Sequence, residues 1–302
     1  MALKHVKNKI QSTKKTGQVT KAMESVSAVK MRKSQARAFL SRPYMQAAMR
    51  VLTRVLAVPE SGGHPLMEKR ENGRYLLVLV TSDKGLAGSV NSAVLKKAEE
   101  YLVEQPETDI IAIGRKAADF ARREKKTLLA EYTNVGDDVT VDDVYEMADV
   151  ALQAFTAATH REVVVVYQNF LSTFEQEPTK RPVLPLDPAE VHFLLKGITP
   201  TKGKFSDIPY ELNKQAAYKL EPSAEAVLNT LLPQLVQVIF YHALLESKAS
   251  EHSARMVAMK NATDKSKEVI KALTIEYNKE RQAAITAEVS EITAGVEAMN
   301  DQ

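Results

Sequence analysis

Both ends of the chain carry a stripe of period 3.5, and that periodicity restricts the fold more than any other feature. Alternating steps of four and three from Val6 pass through Ile10, Thr13, Gly17, Thr20, Glu24, Ser27, Met31, Ser34, Ala38, Ser41, Met45, Ala48, Leu52 and Val55, and meet none of the thirteen Lys and Arg of residues 1–58. Such a stripe marks a helix seam that faces another helix. Six of these fifteen positions are Gly, Ser or Thr, which bury little surface but let a partner come close. Pro43 lacks a donor and crowds the preceding turn, which predicts a kink near Ser41.

The second stripe steps three and four from Leu228 through His242, His252, Met259, Thr263, Ser266 and Leu273 to Ala294, with fourteen of its twenty positions apolar. Pro222-Ser223 offers a helix start, and neither Pro nor Gly interrupts 234–294. The spacing predicts a helix of about 70 residues, on the order of 100 Å long. A helix of that length needs a partner along its side. The N-terminal helix is the economical choice, as an antiparallel coiled coil that the C-terminal helix overhangs by about 20 residues.

Between the stripes, short apolar runs at 75–81, 109–113, 127–132 and 162–167 alternate with helical stretches near 92–104, 115–124 and 140–159. Alternation implies crossover units and a parallel sheet covered on both faces. The expected fold is therefore α/β: a small, mostly parallel sheet with helices on both faces, plus a long antiparallel coiled coil of the two terminal helices. Residues 1–58 form the N-terminal long helix, 59–215 the globular domain with a turn-rich linker at 197–218, and 216–302 the C-terminal long helix.

Composition excludes several classes of function. The chain has no Cys, so it holds no disulfide, thiolate metal site or cysteine nucleophile. The segment 227–245 lacks charges, but its Asn, Thr, Pro, Gln and His residues mark a buried helix and not a membrane span. No apolar run follows the early lysines, and the first Arg is Arg32, so neither a secretory signal nor an Arg-rich presequence is expected; the mature chain is expected to start near Met1. Net charge is +12 over 1–58, −6 over 59–215 and −3 over 216–302, which makes the N-terminal helix a cationic rod. A nucleic acid or anionic surface is the alternative partner for it, although no aromatic stacking residue precedes Phe39.

Catalytic constellations are missing from the sequence. The run Ser82-Asp83-Lys84-Gly85-Leu86-Ala87-Gly88 follows the first strand, yet neither G-x-G-x-x-G nor G-x-x-x-x-G-K-[ST] occurs. It reads as a tight strand-to-helix turn. The six His form no metal-ligand spacing, and His242 and His252 lie on the seam as packing or hydrogen-bonding residues. Asp137-Asp138 and Asp142-Asp143 flank an expected helix start, where carboxylates complement the dipole.

The segments SARMVAMKNATD at 253–264 and YNKERQAAITAEVSEITAG at 277–295 resemble the gamma subunit of the F-type ATP synthase, as do VTKAMESVSAVKMRK at 19–33, SRPY at 41–44 and TSDKGLAGSVN at 81–91. The resemblance spans nearly the whole chain in order. It implies a central rotor shaft without an active site or cofactor, turning inside a ring of alpha and beta subunits, joined to an epsilon subunit and a membrane rotor c-ring. It implies coupling of proton or sodium flux to ATP synthesis or hydrolysis. The position implied is peripheral, on the cytoplasmic face of the bacterial cell membrane, with no direct membrane insertion and no nucleic acid. Residue by residue, Arg281 and Gln282 match the pair that engages a catalytic-subunit loop, and Thr286, Glu288 and Glu291 match polar contacts between shaft and ring. Arg255 matches a further contact, and Met23, followed by Lys30, Arg32 and Lys33, matches the methionine that faces an acidic catalytic-subunit loop. Beyond the resemblance, Ile285, Val289, Ile292, Val296 and Met299 are spaced to share one helix face, so an apolar stripe is expected at the overhanging tip.

Overall fold

A computed structural model describes residues 2–40, 42–56, 63–187 and 221–300. In chain order the elements are α1 (Ala2–Leu40), α2 (Arg42–Leu56), β1 (Arg74–Val80), α3 (Val90–Glu104), β2 (Thr108–Ile113), α4 (Arg115–Arg123), β3 (Leu128–Tyr132), α5 (Val141–Thr156), β4 (His160–Phe170), β5 (Gln176–Leu184) and α6 (Ala224–Asn300). The four expected strands and three expected middle helices are present. The turn-rich stretch 197–218 lies outside the described residues. β5 departs from expectation. Its sequence QEPTKRPVL is not among the four expected runs, and it carries two prolines and three charges, which disfavour a strand. As an edge strand it pairs only with β4, where a missing donor is tolerated.

The sheet runs in the order β3-β2-β1-β4-β5, with β4 and β5 antiparallel and the other pairs parallel. Period two sends alternate side chains of the central strands to opposite faces. Leu76, Val78, Val80, Ile111 and Val165 meet α2, α5 and the first part of α6 in one apolar cluster. Leu77, Leu79, Ile110, Ala112 and Val164 meet α3 and α4 in another. The sheet is thus buried on both sides, which its near-continuous apolar strands require.

Two compact units emerge, Ser27–Ala254 and Met1–Val26 with Arg255–Gln302, and each draws on both long helices. Within the larger unit, α1 is described to Leu40 and α2 from Arg42; the kink expected near Ser41 falls on a position outside the described residues. α6 starts one residue after Ser223, whose hydroxyl accepts from the Ala226 N–H at 3.1 Å. One window of α6 is long and apolar enough to cross a membrane by length and composition alone. Leu228, Leu232, Leu235, Val236, Ile239 and Phe240 from this end of the helix are instead buried in the sheet's own core.

In the smaller unit the two helices pack antiparallel: a Cβ placed on Gly17 would meet the Ser266 Cβ at 3.3 Å, and the Thr20 hydroxyl lies 2.7 Å from that of Thr263. Every described position of the N-terminal seam, from Val6 to Val55, is buried or half-buried. The C-terminal seam is likewise covered from Leu228 through Glu280. From Arg281 to position 294 every residue of α6 is exposed, so the helix outlasts its partner there.

Candidate partner-contact surfaces

The exposed end of α6 gathers five of the residues singled out from the sequence. Arg281, Gln282, Thr286, Glu288 and Glu291 all lie in solvent. The Thr286 hydroxyl donates back to the Gln282 carbonyl at 2.9 Å, and Thr293 does the same to Val289. Arg281 and the two Glu side chains point outward, exposed among the described residues. Ile285, Val289, Ile292 and Val296 are 51% to 67% exposed, an apolar stripe of the kind that water alone leaves unfavourable. The side chain of Met299 lies outside the described ones.

The other sequence-derived residues are placed differently. Met23 is half-buried and Arg255 is buried, both in the unit that holds the helix pair. Lys30 and Lys33 lie in the larger unit and already have acidic partners within the chain. Lys30 donates to Asp137, and Lys33 reaches Asp138 at 2.7 Å, which Arg37 approaches at 3.1 Å. Arg32 is exposed on another side of the same helix. Lys30, Lys33 and Arg37 are therefore countered by acids of the body, and Lys21 by Glu24 of its own helix, which lessens the charge an anionic polymer would meet.

Asp137 and Asp138 correct the expectation that they serve the start of α5. That task belongs to Thr140 and Asp143, which form a reciprocal capping box, with Asp142 also in the first turn. Asp137 and Asp138 sit upstream and face the basic side of α1. The His252 Nε2 also lies 2.9 Å from Asp137 Oδ1, so a seam histidine does act as a hydrogen-bonding residue. Burial pushes the Asp137 carboxyl up, but the Lys30 hydrogen bond and the charges of His252, Lys30 and Lys248 outweigh it and hold it below the ordinary range. The Lys33 hydrogen bond lowers Asp138 in the same way, helped by Arg37. The signal for this pairing was charge complementarity between a +12 helix and a −6 middle segment, without an address.

Two further polar clusters form within the body. Ser82 donates to the Lys84 carbonyl at 2.7 Å, Asn91 accepts from the Ser82 N–H at 3.1 Å, and Asp83 accepts from the Arg115 N–H at 3.0 Å. The loop 82–88 thus spends these polar groups on its own turn and on the starts of α3 and α4. At the other edge of the sheet, Arg74 grips Asp109 at 2.7 and 2.9 Å, and the His160 Nε2 lies 3.1 Å from the same carboxylate. His160 Nδ1 is 2.9 Å from the Thr159 hydroxyl, a chain that sequence spacing does not reveal because its members lie 51 residues apart. Asp109 and His160 are both buried, which suits a structural tie between strand starts.

Comparison with known proteins matches this architecture. A family described as ATP synthase matches residues 2–299. The ATP synthase gamma chain of Heliobacterium modesticaldum is 38% identical over 297 residues, covering 98% of this chain and 99% of that protein. That of Roseiflexus castenholzii is 39% identical over 303 residues, covering 98% of each. Among solved structures, a chain of the Euglena gracilis mitochondrial ATP synthase, in a structure of its OSCP, F1 and c-ring, shares the fold with a TM-score of 0.65 at 20% identity. That likeness covers 99% of this chain and 94% of the other. A chain from the Tetrahymena thermophila mitochondrial ATP synthase central stalk and c-ring gives 0.56 at 24% identity, over 81% and 99%. On a family match over nearly its whole length, and on relatives well above 30% identity, the chain belongs to the ATP synthase gamma chain family, the non-catalytic subunits of that complex.

Proposed function

We propose that this chain is the rotor shaft of an ATP synthase, turning within a ring of alpha and beta subunits and coupling proton or sodium flux to ATP synthesis or hydrolysis. In this reading residues 1–58 and 216–302 supply the shaft, 59–215 supply the body, and an epsilon subunit and a c-ring bind below. The complex is peripheral on the cytoplasmic face of a bacterial cell membrane, and no part of this chain enters the bilayer.

The observation that carries the reading is the end of α6, exposed among the described residues, where an apolar stripe and a polar set share one helix. Apolar burial is non-directional, so Ile285, Val289 and Ile292 can slide inside an apolar sleeve without breaking fixed hydrogen bonds. Arg281, Gln282, Thr286, Glu288 and Glu291 make directional contacts that favour one orientation of a neighbour over another. Met23 and Arg32 add contacts to the acidic loop of a catalytic subunit and Arg255 adds a further shaft contact, while Lys30 and Lys33 back that surface from their pairs with Asp137 and Asp138. Swinging a site from 1:99 to 99:1 takes about 5.5 kcal/mol of differential binding. Several charged contacts in partly desolvated surroundings reach that figure, whereas exposed pairs at about 0–1 kcal/mol each do not.

The test is recovery of the tagged chain from its own cells. ATP synthase alpha and beta subunits should accompany it in stoichiometric amount, and purification of the chain alone from a detergent extract would overturn the proposal.

A further inference from the structure

Midway along α6, from His242 to Ser253, every residue is buried, and the run is polar: Glu246, Ser247, Lys248, Ser250, Glu251, His252 and Ser253 follow one another closely. Burying such groups is costly unless each finds a partner. Four of them find partners on the end of β4 and on the loops of the body. Lys248 donates to the Val135 carbonyl at 2.8 Å, Ser250 to the Gln168 carbonyl at 3.1 Å, and Ser253 to the Thr173 carbonyl at 2.5 Å. His252 meets Asp137 at 2.9 Å, while the other oxygen of that carboxylate takes Lys30 of α1. Asp138, next in line, takes Lys33 and Arg37 of α1.

One loop, between β3 and α5, therefore holds both long helices at once. Apolar packing of the first part of α6 fixes it in the core, but apolar contacts are non-directional and tolerate small angular displacements under load. Hydrogen bonds that point in several directions do not, because any rotation breaks them together.

We propose that Asp137 and Asp138 are positioning residues that pin α1 and α6 to the α/β body, so that torque passes between the helices and the body without slip. The inference rests on the rotor reading above and adds to it where the load is carried. Asp137 acts on both helices through its two oxygens, and Asp138 on α1 alone. Their cationic partners Lys30 and Lys33 are held within the chain and face an acidic pair of the chain's own.

The test uses the whole complex in inverted membrane vesicles, carrying Asp137→Asn with Asp138→Asn. Subunit content, ATP hydrolysis and ATP-driven ion pumping are measured together. The expected result is normal assembly and hydrolysis with pumping per ATP reduced about threefold or more, since several partly exposed pairs are lost together. Unchanged pumping per ATP in an assembled complex overturns the pin and leaves the rotor reading standing, whereas absence of the wild-type chain from the complex overturns the rotor reading itself. Should the double variant fail to assemble, Asp138→Lys is compared with Asp138→Lys plus Lys33→Asp. Recovery of pumping per ATP on reversing both charges supports the pin, and no recovery overturns it. A role limited to stability would lower assembly and both activities in proportion and leave their ratio fixed.

Discussion

The hydroxyls of Thr20 and Thr263 lie 2.7 Å apart across the antiparallel helix pair, both buried. Each hydroxyl also has a carbonyl of its own helix in reach, Met259 at 2.8 Å for Thr263 and Gly17 at 3.1 Å for Thr20, so either hydroxyl can donate across the pair. A polar pair in an otherwise small and apolar seam acts on register more than on stability. Thr20→Val and Thr263→Val should each cost less than about 1 kcal/mol, with a favourable coupling of about 0.5–1 kcal/mol in a double-mutant cycle of thermal unfolding. Strict additivity of the two costs would show that the bond contributes nothing.

Gly17 sets how closely the helices approach, since even a methyl group there would crowd the Ser266 Cβ at 3.3 Å. Gly17→Ala should be near neutral, because the better helix propensity of Ala, about 1 kcal/mol, offsets the crowding. Gly17→Leu should lower the melting temperature clearly, as the pair must separate around the larger side chain. Circular dichroism melts of the isolated chain distinguish the two, and equal melting of the wild type and Gly17→Leu would refute the close approach.

These seam contacts were legible in the sequence because period and residue size are local properties. A stripe of Thr13, Gly17, Thr20 and Ser27 announces both a helix and a close neighbour. The overhang was legible for a similar reason, since the C-terminal stripe continues past the point where the other runs out. β5 was hidden because Pro178, Pro182 and the charges around them are loop signals, and only an edge position beside β4 makes them compatible with a strand. The ties of Asp137 and Asp138 to Lys30 and Lys33 were hidden because they span more than 100 residues, 107 and 105, and no spacing rule reaches that far.

Asp109 offers a test in which pH supplies the control. Burial raises its pKa, but hydrogen bonds from Arg74 and His160 lower it further, so the folded value lies below the unfolded one. A depressed carboxylate contributes stability above its unfolded value, about 4, and loses it as pH falls through the folded value. Arg74→Met leaves the buried carboxylate half-paired and should destabilise the chain by about 1–2 kcal/mol at pH 7. The gap from wild type should shrink below about pH 4, where Asp109 takes up a proton in the unfolded chain and in the variant. Denaturant midpoints at pH 7 and pH 3.5 measure it, and a gap that widens on acidification would contradict the assigned pairing.

The exposed end of α6 presents two kinds of chemistry that substitution can separate. Arg281→Ala with Gln282→Ala removes directional contacts from a stretch that is exposed among the described residues, so the isolated protein should melt at the wild-type temperature, within the roughly 0.5 kcal/mol usual for surface changes. The assembled complex should lose torque or fail to form. Val289→Asp with Ile292→Asp should also leave the isolated chain folded, but a carboxylate carried into an apolar sleeve is costly at every angle of rotation, so it should slow turnover throughout the cycle. Single-molecule rotation of the assembled complex reads the difference: longer pauses at fixed angles for the first variant, uniformly slower stepping for the second. Early unfolding of either isolated variant would mean that this end of α6 packs within its own chain and is not the surface offered to the ring.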